Sequence, residues 1–261
     1  MSKGKADKYD YDFNDGFVAP EEVAVSVKNE PLPDSGMGEL LLYCVETGKA
    51  YHPEYTGGHD DLVRKEFDKA IAAGKTPEQF FIENEPYWYY LVHLENDIWR
   101  APFLRMTNEV LLPPHSVLDW GCGAGGTGFF FAGKGYTVSF ANYAKSHGRG
   151  FLEWRIAKRN ASYPVYDFKD RIPVNDIVCA FDVIEHSSDP YESLERLNEV
   201  GKVVALNIPH GIGLPEYDPD LPTLHYKMDV NGLVEYIKSN HKILRIENVE
   251  YATYVLYESG A

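Results

Sequence analysis

The sequence predicts an α/β chain: a doubly wound, mostly parallel sheet with a terminal antiparallel strand pair, preceded by a helical and irregular extension. Three observations carry that expectation. From Ser116 onward, short apolar runs alternate with helix-like stretches, the pattern of βαβ units. The apolar run Val117-Leu118 leads into a glycine turn, Gly121-Cys122-Gly123-Ala124-Gly125, as happens where a buried strand hands over to a helix. Near the end, Lys242–Val249 and Thr253–Glu258 are two β-rich runs with no helical stretch between them.

Residues 1–38 mix acidic, aromatic and proline residues without sustained periodicity, and Pro31-Leu32-Pro33-Asp34-Ser35-Gly36 is a run of breakers, so an irregular segment is expected. Residues 39–107 form an N-terminal extension. In it Glu39 to Tyr43 and Lys49 to His52 read as short strands about a Thr47-Gly48 turn. Asp60 to Ala73 reads as a helix with Leu62, Phe67, Ala70 and Ile71 on one side. Pro86 to Thr107 reads as another, with Tyr87, Leu91, Leu94 and Ile98 at helical spacing.

Residues 108–261 form the sheet domain, with strands expected at Ser116–Trp120, Thr137–Asn142, Pro164–Phe168, Asp176–Asp182 and Lys202–Pro209. The best-marked helix is Pro190–Val200. Ser188 or Asp189 is its N-cap, proline takes the first helical position, and Leu194, Leu197 and Val200 face inward. Lys169 to Asn175 is too short for a crossover helix, so a loop should join the third and fourth strands. A last helix is expected from about Asn231 to Ser239. Gly150 to Asn160 mixes aromatic and basic residues. The simplest reading packs Phe151 and Trp154 on the sheet and leaves Arg155, Lys158 and Arg159 in water.

Composition limits the function. At 261 residues the chain has room for one elaborated domain, or one domain with an appendage. A formal net charge of −15, from 40 acidic against 25 basic residues, repels phosphate backbones and anionic membrane surfaces, so neither nucleic acid nor a membrane is the expected partner. Met1 to Asp10 is charged and lacks the apolar run of a signal peptide. No later stretch is apolar for the roughly 18 residues a span needs, and a cytoplasmic location is expected. Cys44, Cys122 and Cys179 are widely spaced with no C-x-x-C pair, which argues for reduced thiols. His52 and His59 beside Cys44 match no standard ligand set, and no metal is expected.

Chemistry concentrates around the glycine turn. Glycines let a ligand approach the backbone, and the helix that follows offers free N–H groups. Gly121, Gly123 and Gly126 also satisfy G-x-G-x-x-G, which leaves an NAD-dependent oxidoreductase open. Asp119 speaks against it, because a carboxylate at the strand end repels a pyrophosphate and suits a cationic ligand. Here the chain resembles the class I, Rossmann-like S-adenosylmethionine-dependent methyltransferases, whose first motif reads acidic-x-Gly-x-Gly-x-Gly. Asp119, Gly121, Gly123 and Gly125 match it. Phe181-Asp182-Val183-Ile184-Glu185-His186-Ser187-Ser188-Asp189-Pro190 resembles the segment after the fourth strand in small-molecule members, among them the ubiquinone-biosynthesis O-methyltransferases. The likeness runs from roughly Pro114 to Glu258.

The resemblance implies S-adenosylmethionine as cofactor, held by Asp119, Gly121, Cys122, Gly123, Gly125 and Phe181. It puts the ribose at the end of the second strand. There the family places an acidic residue and this chain has Asn142, followed by Tyr143. Asp167 and Phe168 fall where the family binds adenine. In-line methyl transfer needs alignment, and a base if the acceptor carries a proton, but no covalent intermediate. His186 and His225, both expected near carboxyl ends of strands, are the candidate bases for a small-molecule acceptor. A protein that keeps the fold and binds the cofactor without turnover is the other alternative. Residues 39–107 are expected to form the acceptor-side wall or lid, because Phe80, Phe81, Tyr87, Trp88, Tyr89 and Tyr90 suit a pocket that excludes water, and core packing or a homodimer contact is the competing reading of the same rings.

Overall fold

Seven strands form one sheet in the order β3-β2-β1-β4-β5-β7-β6 in a computed structural model of the chain. It describes residues 36–52, 55, 60–95, 100–210, 224–249 and 251–260. The irregular segment expected over residues 1–38 lies outside the described residues up to 35, and residues 36–38 are helical instead; His59 and Ile98 also lie outside them. The strands are β1 Ser116–Trp120, β2 Thr137–Ala141, β3 Val165–Tyr166, β4 Asn175–Ala180, β5 Gly201–Pro209, β6 Lys242–Asn248 and β7 Ala252–Glu258. β1 to β5 pair in parallel. β7 lies antiparallel between β5 and β6, as the β-rich terminal runs suggest. The third and fourth strands are joined without a helix, also as expected.

Helices cover both faces because the central strands are apolar on both sides. On one face α8 Pro190–Val200 and α9 Val230–Asn240 bury Leu194, Leu197, Leu233 and Ile237 against Val178, Val204 and Val255. Asp189 caps α8 by accepting from the N–H groups of Tyr191 and Glu192, with Pro190 in the first turn. On the other face α5 Ala101–Val110, α6 Gly126–Gly133 and α7 His147–Lys158 set Phe103, Phe131, Leu152 and Ile156 over Val117, Val138 and Ile177.

The extension packs outside this sandwich as α1 Gly36–Thr47, α2 Asp60–Ala72, α3 Pro77–Glu83 and α4 Glu85–Glu95. Three expectations are corrected here. Of the two strands expected there, Glu39 to Tyr43 lies in α1 and Lys49 to His52 is irregular chain after it. Gly48, at φ 69°, ends that helix, and the Lys49 N–H bonds the Cys44 carbonyl across the cap. The long helix Pro86 to Thr107 is two helices, since Pro102, which has no N–H to give, starts a new one in the first turn of α5. Finally, Phe151 and Trp154 pack on Tyr43 of α1 rather than on the sheet, and Arg155 is buried rather than solvated. α3 is an element that sequence periodicity misses, although its capping box, Thr76 with Gln79, is plain in the residues. Among the described residues no helix is long and apolar enough to cross a membrane.

Candidate functional site

The glycine turn is fixed to its neighbour strand. The N–H groups of Gly121 and Cys122 both donate to the Ala141 carbonyl at the end of β2, at 3.0 and 3.1 Å. Gly123 has φ 53°, and a Cβ there would come within 3.2 Å of Leu91 Cδ1 on α4. Gly125, at φ 94°, faces the core instead. A Cβ there would stand 2.5 Å from Leu152 Cδ1. One turn of chain thus carries a glycine set close against a helix side chain and another needed for packing in the core.

Beside this turn lies a cavity of about 330 Å³, at the carboxyl ends of β1, β2 and β4. Its sheet side is made by Gly121, Gly123, Asn142, Tyr143 and Val183, and its far wall by Phe81 of α3 with Tyr87, Trp88 and Leu91 of α4. Trp120 and Phe168 also border it. Their ring centroids are 4.9 Å apart, and Tyr143 meets Phe168 edge-on. Two bordering residues carry buried polar atoms with no hydrogen-bond partner, Trp88 Nε1 and Ser146 Oγ. Orphaned donors of this kind cost stability unless something satisfies them.

The expected site residues divide in two. Gly121, Gly123, Asn142, Tyr143, Phe168 and His186 border the cavity. Asn142 turns its amide inward, donating to the Gly123 carbonyl at 3.4 Å and accepting the Tyr143 N–H at 2.8 Å, so it ties the glycine turn to the end of β2. Asp119, Cys122, Gly125, Asp167, Phe181 and His225 are not on the cavity's border. The Asp119 carboxylate, 4% exposed, accepts the Gly128 N–H at 2.8 Å and so caps α6 from beneath. Cys122 and Phe181 are core residues, the latter against Phe103 and Tyr254. Asp167 accepts from the N–H groups of Lys169 and Ala144, and these bonds lower its pKa.

At the end of β4 the chain makes an unusual corner. Asp182 sits at φ 55°, in the left-handed region that few residues other than glycine occupy. It is held there by Asn207, which exchanges bonds of 2.7 and 2.8 Å with its N–H and carboxylate, and by Arg100, whose Nε lies 2.9 Å from Oδ2. Glu185 follows in a short 3₁₀ turn. Burial first, then the negative charge of Asp182, raises its carboxyl well above the usual range. His186 Nδ1 lies 2.8 Å from the Leu224 carbonyl. A carbonyl only accepts, so Nδ1 carries the proton and Nε2 the lone pair. Burial lowers the pKa of His186. His225, its ring 4.7 Å away, is pushed down to about 3 by burial and by its neighbour.

Sequence reasoning did not single out Arg100, Ser146 or Val183. Arg100 gives no local signal, because its partner lies 82 residues further along the chain. Trp120 and Asp182 were inside recognisable motifs without a role assigned to them.

No protein-family model matches the sequence, and no curated protein does. Many solved structures match the fold. An S-adenosylmethionine-dependent methyltransferase from Clostridium acetobutylicum aligns over 67% of this chain and all 100% of its own, at 13% identity and a TM-score of 0.52. Magnesium protoporphyrin IX methyltransferase from Synechocystis, solved with bound S-adenosylhomocysteine, aligns over 76% of this chain and 98% of its own, at 15% identity and a TM-score of 0.51. The same enzyme with bound S-adenosylmethionine gives 14% identity, coverage of 76% and 95%, and a TM-score of 0.50. At such identities the likeness is one of architecture, and the chain has the fold of the class I S-adenosylmethionine-dependent methyltransferases.

Proposed function

We propose that this chain transfers a methyl group from S-adenosylmethionine to a small-molecule acceptor by in-line displacement. The observation that carries the reading is the cavity over Gly121 and Gly123, at the strand ends where open α/β sheets bind ligands. The cofactor fits what the cavity offers. Its floor is glycine backbone, its flanks are the aromatic faces of Trp120, Tyr143 and Phe168, and two buried donors, Trp88 Nε1 and Ser146 Oγ, have no partner. Gly121 and Gly123 would take the methionine part, Asn142 and Tyr143 the ribose, and Phe168 the adenine. Asp119 sits directly under the loop with its charge on the α6 N-terminus, and Asp167 shapes the turn beside Tyr143.

Bound S-adenosylmethionine supplies a methyl group on a sulfonium, which needs no covalent help from the protein. What remains for the chain is to align the acceptor and take its proton. His186 is the base. It borders the cavity, burial favours its uncharged form, and the Leu224 carbonyl selects the tautomer that leaves Nε2 without hydrogen. His225 is off the cavity's border, with its ring 4.7 Å from that of His186. Phe81, Tyr87, Trp88 and Leu91 form the acceptor-side wall and exclude water there.

The dinucleotide reading meets a specific obstacle. A pyrophosphate at the α6 N-terminus would share it with the Asp119 carboxylate, which already takes the Gly128 N–H. Thermal unfolding separates the two readings. S-adenosylhomocysteine should raise the melting temperature and NAD should not, because a ligand that binds the native state stabilises it by mass action. The reverse pattern would sink the methyltransferase reading. Binding without S-adenosylhomocysteine release across a panel of acceptors would favour the non-catalytic alternative.

A further inference from the structure

α1 does not border the cavity, yet a single guanidinium joins it to the loop that does. Arg155 of α7 directs Nε and Nη2 to Glu39 Oε2 on α1, both at 2.7 Å, and donates from Nη1 to the Ala124 carbonyl at 2.6 Å. Ala124 lies between Gly123 and Gly125 in the glycine turn. The groups are dry, with Glu39 1% exposed and Arg155 4% exposed. Arg159 Nη2 lies 2.6 Å from the other Glu39 oxygen, and the ring of Phe129 lies under both guanidiniums at 4.6 and 4.2 Å.

We propose that Glu39 and Arg155 are positioning residues for the cofactor loop, and that α1 belongs to the cofactor site rather than to an acceptor lid. The proposal rests on the methyltransferase reading above. It departs from the sequence expectation that the whole extension serves the acceptor. A glycine-rich turn is poorly specified by its own residues, because glycine admits many backbone conformations. A planar guanidinium with its remaining donors already committed to a buried carboxylate holds a carbonyl in one place. Removing either charge leaves the other buried and unpaired, so the loop loses its anchor together with the pair.

The same interface contains its own control. Further along α1, Glu46 accepts from Trp154 Nε1 at 2.9 Å and from Lys158 Nζ at 2.6 Å. That pair joins α1 to α7 as well, but it is partly exposed, and its Lys158 lies near the far end of α7. Coupling of α1 to the loop is also reciprocal: a ligand that orders the loop must tighten α1 by the same free energy.

The test compares Arg155→Lys, Glu39→Gln and Glu46→Gln by calorimetric titration with S-adenosylhomocysteine, alongside hydrogen exchange of the unaltered chain with and without that ligand. The expected result is a Kd raised about tenfold in Arg155→Lys and Glu39→Gln and within about twofold of wild type in Glu46→Gln, even where Glu46→Gln lowers the melting temperature. In the unaltered chain, exchange across Gly36–Thr47 should slow on ligand binding, a readout that needs no variant to fold. Equal affinities in all three variants, or no ligand effect on exchange in that helix, would overturn the proposal. If the unaltered chain binds no S-adenosylhomocysteine, the cofactor reading itself fails and this proposal falls with it.

Discussion

The cavity has two walls held by different forces. On the sheet side, Gly121 and Cys122 are fixed by backbone hydrogen bonds to Ala141, and Asn142 by bonds from its side-chain amide to Gly123 and Tyr143. On the helical side, Tyr87, Trp88 and Leu91 are held mainly by packing, Trp88 against Tyr43, Tyr89 and Phe151 and Tyr87 against Phe80 and Phe81. Hydrogen bonds dictate position and orientation, whereas dispersion and burial tolerate rearrangement. The sheet wall therefore suits a constant ligand, the cofactor, and the helical wall suits a variable one, the acceptor. Substitutions on the two sides should separate cofactor affinity from turnover.

The largest effect is expected at the seam. His186→Asn should lower kcat by roughly 10²–10⁴ while S-adenosylhomocysteine binds as in wild type, which is the usual contribution of a general base. A pH-rate profile measured alongside should lose its rising limb in the variant. Unchanged kcat would move the base elsewhere. On the sheet wall, Asn142→Leu removes both the Gly123 and the Tyr143 contacts and should weaken cofactor binding by roughly 1–3 kcal/mol. Titration calorimetry reads this directly, and an unaltered Kd would transfer the ribose contact to a neighbour. On the helical wall, Tyr87→Ala should reduce turnover on the order of tenfold at normal cofactor affinity, through a loosened acceptor. Should the cofactor Kd rise instead, the two walls do not divide the labour.

The smallest effect concerns stability. Glu185 holds its proton more tightly folded than unfolded, so the native state is favoured below the unfolded carboxyl pKa and that advantage is lost as pH rises through the folded value. His186 and His225 are shifted down, so their contribution is present above the unfolded imidazole pKa and lost as pH falls. The histidines contribute the same slope to wild type and to Glu185→Gln, so the difference between the two proteins isolates Glu185. Unfolding free energies from denaturant titrations should fall by roughly 1–2 kcal/mol more in wild type than in Glu185→Gln between about pH 6.5 and 8.5. Parallel curves would mean that Glu185 is ionised in the folded protein.

The two walls also differed in how far the sequence announced them. A strand, a glycine turn and a helix are local, so Val117 to Gly126 could be read directly, and the same holds for Asp189-Pro190 opening α8. The helical wall depends on long-range packing. Thr47-Gly48 serves a hairpin and a helix end equally well, and only the burial of Leu40, Tyr43 and Cys44 against α4 and α7 decides for the helix. Arg155 looks solvated until Glu39, 116 residues earlier, is brought against it. Within the motifs, residue identity gave the loop but not the direction in which side chains point. Asp119 turns to α6, and Phe181 and Cys122 turn to the core.

The most direct test of the cofactor site is a titration of S-adenosylhomocysteine into wild type and into Gly123→Arg, with circular dichroism to establish that the variant is folded. The added side chain would start 3.2 Å from Leu91 Cδ1 and obstruct the cavity that both residues border. Saturable binding by wild type and none by the folded variant is the expected result. Equal affinity in both proteins would contradict it and place the ligand away from the glycine turn.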